Sequence, residues 1–203
     1  MNIKESVLIN LLEKFHPFTY ELHAARYPFP LPGLSVPLSP PETNNCCTFV
    51  EALLVKAWAD THPEFKWGSK RHGQMMILSA DDFFSPVTAV IESGMGSVMD
   101  DTDIKPWTVV QGWRGKWNGG HTFIIVDHHE ETDRVLTLES NSAYNLDGVG
   151  FRGIGNLRDF NNPPVEWWKQ EDLWTWERIK SAYKFRKQAA LNMNELSWGG
   201  LNV

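Results

Sequence analysis

Cysteine is scarce in this sequence: Cys46 and Cys47 are the whole complement, and they are adjacent. Two cysteines are too few for a disulfide framework, and a bridge between neighbours closes a small strained ring, so free thiols are expected. Long apolar runs are also missing. No stretch approaches the roughly 20 residues that a helix needs to cross a bilayer, and the start Met1-Asn2-Ile3-Lys4-Glu5 has no signal-peptide core. The expected location is therefore cytoplasmic, with delivery or secretion by a non-classical route as the alternative. Positive charge is not in excess either. A formal net charge of -6 argues against a chain built to coat nucleic acid or anionic lipid. The acidic turn Asp100-Asp101-Thr102-Asp103 lacks the glycine and distal glutamate of a calcium loop. His128-His129-Glu130 stands in a polar hairpin connection with no distant ligand cluster to complete a site. No metal and no cofactor are expected.

What is present is a globular composition, 42% hydrophobic and 22% charged, of the length of one good-sized domain. Six of the twelve prolines crowd into residues 28–41 and keep that stretch out of regular helix. Thr43, Asn44 and Asn45 then offer caps, and Phe49, Val50, Leu53, Leu54 and Ala57 recur at helical spacing. The spacing predicts an amphipathic helix over 45–59 with both cysteines in its first turn. There the unpaired N–H groups and the positive helix end favour a thiolate.

Around that helix the pattern predicts a first helix over 3–15, a proline-rich wrap to residue 43, and a short helix beginning at Ser85-Pro86 and ending by Gly94. Ser79-Ala80-Asp81-Asp82 has capping-box spacing, and Met75–Leu78 is apolar. From residue 107 the period becomes that of strands: 107–113, then 121–127 after Gly119-Gly120, then 134–139 across a polar loop, with an edge strand near Phe151–Gly155. A helix is expected over 174–192, with a basic distal half, and a loose tail over 194–203. Helices before a sheet, without a linker or repeat, predict one α+β domain: a core over about 43–160, an N-terminal helix and wrap over 1–42, and a C-terminal helical extension over 166–203.

Nucleophilic catalysis by a thiol needs an imidazole to deprotonate it and a polar group to orient the ring. Cys46 or Cys47 supplies the thiol. His121 opens a strong strand after two glycines, and Glu139 and Asn141 end the next one. In an antiparallel pair joined by a short loop, the start of one strand lies beside the end of the other. Topology alone therefore brings His121 to Glu139 and Asn141, either of which can orient it. A tetrahedral oxyanion would be held by N–H groups at the helix start, with Asn45 and Cys47 as donors and the side-chain amide of Asn44 or Asn45 as a helper. Gln111, Trp113 and Trp117 are the candidate substrate-binding residues; the two tryptophans either stack on sugar or peptide or pack the sheet edge.

These pieces resemble the papain-like cysteine hydrolases of the NlpC/P60 and CHAP type. Cys46-Cys47-Thr48-Phe49-Val50 is similar to their Cys-[Ser/Thr/x]-x-[Phe/Tyr]-[Val/Ile] signature, a register that assigns the nucleophile to Cys46. Gly120-His121-Thr122-Phe123-Ile124-Ile125-Val126 resembles their histidine strand, and Leu138-Glu139-Ser140-Asn141 matches the Glu-x-Asn of CHAP-type members. The sequence departs from the family at Trp107-Thr108, where Gly-Asp is usual, and at Asn45, where aspartate, glutamine or serine precedes the cysteine. The resemblance spans about residues 43–141. It implies a papain-like α+β fold with N-terminal helices on a small antiparallel sheet. It also implies an amide hydrolase acting through an acyl-thioester, and a peptide or glycopeptide partner such as cell-wall peptidoglycan. An endopeptidase or an N-acetylmuramoyl-L-alanine amidase is the leading expectation. The alternatives are an isopeptidase or acyltransferase of the same fold, and a binding module that has lost catalysis.

Overall fold

The computed structural model describes residues 13–22, 42–59, 62, 86–100, 102–115, 120–159 and 164–193. Most of the first predicted helix, the proline-rich wrap, residues 63–85 with their capping box, Trp117 and the tail from residue 194 lie outside these residues. Within them the chain is α+β, with three α-helices, a seven-stranded antiparallel sheet and a two-stranded parallel pair. Strands β1 (Thr19–Tyr20) and β2 (Thr43–Asn44) form the pair. Helix α1 (Cys46–Ala59) follows at once, then α2 (Pro86–Glu92) and β3 (Gly96–Val98). The central strands are β4 (Thr108–Trp113), β5 (Gly120–His129) and β6 (Arg134–Asn141), followed by β7 (Gly148–Phe151) and β8 (Gly155–Asn156). Helix α3 (Trp176–Ala182) and β9 (Phe185–Leu191) end the described chain. The sheet order is β3-β9-β4-β5-β6-β7-β8.

Side chains alternate across a strand, so each sheet face collects its own core. Val109, Ile124 and Leu138 face α1 and α2, together with Phe49, Leu53, Val87 and Val90. Val110, Phe123, Ile125 and Val135 face the other way, under Trp174, Trp176, Ile179 and Tyr183. Helix α1 is more enclosed than a single apolar stripe implies: every residue from Cys46 to Val55 is buried. A helix apolar nearly all round belongs inside a domain rather than on its surface.

The helix predicted over 174–192 is a correction. Only Trp176–Ala182 is helical, and Phe185–Leu191 is a strand between β3 and β4. Its Arg, Lys, Gln, Ala and Leu residues are good helix formers, which is what the spacing reported. Sheet pairing overrides that preference. Without β9, the buried strand β4 would present an open edge. Ala189 and Leu191 alternate into the α1-side core, and Gln188 turns the other way to donate to the Asp100 and Asp103 carbonyls. Arg186 folds back to donate to the carbonyls of Lys180, at 2.9 Å, and Tyr183, closing the end of α3.

Candidate functional site

Asn45 starts α1 by a reciprocal cap. Its Oδ1 accepts from the Thr48 N–H at 3.0 Å, and its own N–H donates to Thr48 Oγ1 at 2.9 Å. Its side-chain amide donates to the Leu22 carbonyl at 3.0 Å. Asn45 therefore builds the helix start instead of offering a donor to an oxyanion, as the sequence suggested. The first-turn N–H groups outside both cap and helix ladder are those of Cys46 and Cys47. Asn44 anchors the same turn to the sheet, its Oδ1 accepting from Ser140 Oγ at 2.5 Å. Ser140 stands between Glu139 and Asn141, so helix start and strand end are locked together.

Cys46 and Cys47 are both buried, and their sulfurs lie 4.0 Å apart. They face different partners. Cys47 Sγ lies 3.4 Å from Thr122 Oγ1, whose hydroxyl donates to Gln111 Oε1. Cys46 interacts with the His121 imidazole and the Thr122 backbone N–H. A hydrogen bond from the Cys47 thiol, then the His121 charge, pull the Cys46 thiol well below its ordinary range against the effect of burial. The hydrogen bond to Cys46 and burial push Cys47 well above it. Only Cys46 has the imidazole beside it, so the negative charge resides there and Cys47 donates.

The other edge of the His121 ring is held. Nε2 is hydrogen-bonded to Glu139 Oε2, which leaves Nδ1 as the ring nitrogen for sulfur chemistry. Asn141 Nδ2 donates to the same Glu139 oxygen at 2.8 Å and lies 3.5 Å from Nε2. Glu139 is thus the direct orienting group, and Asn141 steers the carboxylate. The register predicted this meeting: β5 and β6 pair antiparallel with Ile124 opposite Leu138.

Arg152, which no sequence pattern singled out, completes the site. Its Nε donates to Glu139 Oε1 at 2.6 Å and its Nη2 to Oε2 at 2.9 Å. Thr137 Oγ1 adds a donor to Oε1 at 3.0 Å. Glu139 is fully buried, which alone would raise its carboxyl; Arg152 first, then His121, hold it well below the usual carboxylate range. Burial alone would lower His121, but the Glu139 and Cys46 charges raise it well above the usual imidazole range. The Arg152 guanidinium sits 4.2 Å from the Trp174 ring centroid, 4.7 Å from Tyr144 and 5.6 Å from Phe123, an aromatic cage that suits a weakly hydrated cation. Its only sequence signal is an arginine in an otherwise apolar, glycine-rich turn.

Tyr183 lies along His121, ring centroids 6.5 Å apart, and touches Phe123 and Trp174. On the α1 side, burial and then the two cysteines push the Tyr20 hydroxyl up to about 12, so it stays protonated. An open cavity of about 470 Å³ lies against His121 and Asn141, with Arg114, Tyr144 and Tyr183 in its wall.

Of the expected substrate-binding residues, Trp117 lies outside the described residues, and the other two do not line the cavity. Trp113 is 1% exposed, so its ring packs inside the sheet layer instead of lining a groove. Gln111 is equally buried and faces Thr122 and Gly120. No protein-family model matches the chain, and no curated protein matches it.

Proposed function

We propose that this chain is a cysteine-dependent hydrolase that cleaves an amide bond through an acyl-thioester. The observation that carries this reading is Cys46 at a helix start, its thiol depressed, beside a His121 ring whose far edge is bonded to Glu139. The Cys46 thiolate attacks the carbonyl carbon. A C–S bond forms and the carbonyl electron pair moves to oxygen. The Cys46 and Cys47 N–H groups stabilise that oxyanion. As the oxyanion collapses, the C–N bond breaks and the His121 imidazolium gives its Nδ1 proton to the leaving amine. Neutral His121 next takes a proton from water, whose oxygen attacks the thioester. Collapse then releases the acid and restores the ion pair. Glu139 and Asn141 hold the ring in place throughout, and Arg152 holds Glu139.

The papain-like arrangement and a peptidoglycan substrate belong to the same proposal. They rest on the motif resemblance over 43–141, with endopeptidase and N-acetylmuramoyl-L-alanine amidase as the two cell-wall activities. The test is to treat reduced protein with a thiol-reactive peptide mimic and to digest purified peptidoglycan, reading products by mass. Labelling confined to Cys46 and lost in His121→Ala supports the hydrolase. Slow, equal labelling of both cysteines regardless of His121 rejects it. Intact peptidoglycan with a reactive Cys46 moves the substrate to another amide.

A further inference from the structure

We propose that the cavity beside His121 binds a carboxylate carried by the amine half of the substrate, with Arg114 as its countercharge. This deepens the hydrolase reading and rests on it.

The direction follows from the ring. The Nε2 edge of His121 is closed by Glu139 and Asn141, so proton transfer to the departing nitrogen uses Nδ1. His121 and Asn141 line the cavity and Cys46 does not. The acyl half must reach the sulfur. The half that takes the proton from His121 is the one that can extend into the cavity. At about 470 Å³ it has the size of a small-ligand site and can hold a residue-sized group.

The charge follows from the wall. Among the described residues, no aspartate or glutamate lines the cavity. Glu139, behind His121 and Asn141, is buried and neutralised by Arg152 and His121. The Cys46 thiolate is matched by the imidazolium. These pairs cancel, and among the described residues at the cavity the charge of Arg114 remains. Arg114 is exposed, contacts the Tyr144 hydroxyl at 3.5 Å, and forms no ion pair among the described residues. In a chain of net charge -6 this is a local positive site. A guanidinium with a tyrosine hydroxyl beside it matches a carboxylate, through charge-assisted hydrogen bonds.

Tyr144 is also held at a cost that suggests use. It and Asn145 have φ of 60° and 65°, a left-handed conformation that an aromatic residue rarely adopts. The strained turn fixes the ring between the Arg152 guanidinium and the edge of Trp174, 5.1 Å between ring centroids, and presents its hydroxyl at the cavity with Arg114.

The experiment uses matched amides with one acyl half and a leaving alanine that carries either a free carboxylate or a carboxamide. The wild-type protein is expected to favour the carboxylate at least tenfold in kcat/KM, mostly through KM. Arg114→Gln should cut that preference to within about threefold, and Arg114→Lys should keep part of it. Equal turnover of the pair by the wild type overturns the proposal. A second arm titrates Cys46→Ala protein with alanine and with alaninamide, of both hands, followed by NMR shifts of residues lining the cavity. Alanine binding at least fivefold tighter, lost in Arg114→Gln, supports the site; equal binding or none overturns it. Because that arm needs no catalysis, it reads the cavity even where neither amide is cleaved, whereas an unreactive Cys46 counts against the hydrolase reading itself.

Discussion

The Arg152 guanidinium grips the Glu139 carboxylate with two hydrogen bonds, Nε to Oε1 at 2.6 Å and Nη2 to Oε2 at 2.9 Å, in a place neither group shares with solvent. Breaking such a pair from one side leaves a buried charge without its partner, which costs about 3–5 kcal/mol. Arg152→Met should therefore destabilise the protein by about that much in urea denaturation. Glu139→Gln combined with Arg152→Met should lose less than the two single changes added together. Additive losses would mean that the pair does not act as a unit.

The charged state of the site sets a pH profile. Cys46 is lowered, so its thiolate persists below the ordinary thiol range; His121 is raised, so its proton persists above the ordinary imidazole range. Amide hydrolysis should fall on the acid side as Cys46 takes up a proton, and on the alkaline side as His121 loses one. In His121→Ala labelling of Cys46 should be lost at neutral pH and return only at alkaline pH, its profile moved up toward an ordinary thiol, near about 8.5. An unmoved profile would show that the imidazole does not charge the sulfur.

Stability follows the same signs. Glu139 is depressed, so its contribution is present above the usual carboxylate value of about 4.3 and is lost as pH falls through its lower folded value. The stability gap between wild type and Glu139→Gln should narrow in acid. His121 is raised, so its contribution is present below about 6.5 and is lost as pH rises through its folded value. His121→Ala should thus cost least at alkaline pH. Denaturation midpoints across pH test both slopes.

The two cysteines should separate cleanly. Cys46→Ala should abolish hydrolysis, a loss of at least about a thousandfold on the scale of other thiol and hydroxyl nucleophiles. Cys47→Ala removes a hydrogen bond that lowers the Cys46 thiol. It should leave activity within about tenfold while shifting the acid limb upward. A dead Cys47→Ala protein with an active Cys46→Ala protein would reverse the assignment.

How much of this was legible beforehand depends on how far each contact reaches along the chain. Asn45 capping a helix that carries Cys46 is a matter of neighbouring residues, and spacing revealed it. The meeting of His121 with Glu139 and Asn141 needs one short hairpin, and strand logic revealed that too. Arg152 is different. Its place under Glu139 depends on β7 pairing with β6 and on Trp174 arriving from beyond the next turn. A lone arginine carries no periodicity to announce this. Residues 185–191 misled because helix propensity is local, whereas the empty edge of β4 that they fill belongs to the assembled sheet. Trp113 fits either stacking on a ligand or packing the sheet by its place before His121 alone, and its burial selects packing.

Gly112 links the sheet to the histidine through one close contact. A Cβ added there would stand 2.5 Å from Tyr183 Cγ and 2.7 Å from its Cβ, inside any real van der Waals distance. The β4–β5 register puts Gly112 directly opposite His121, so the missing side chain is what lets Tyr183 lie beside the imidazole. Gly112→Ala must displace the Tyr183 ring, an overpacking that costs about 1–3 kcal/mol. Because the ring flanks His121, the same change should also lower kcat. The position of Cys46 is set by α1 on the other sheet face, so labelling of Cys46 should stay confined to that sulfur. Tyr183→Gly in the same chain removes both the clashing Cβ and the ring, and its partial recovery of stability would show that the clash is with this side chain. If Gly112→Ala is as stable and active as the wild type, Tyr183 is not packed against the strand as described, and its role beside His121 falls with it.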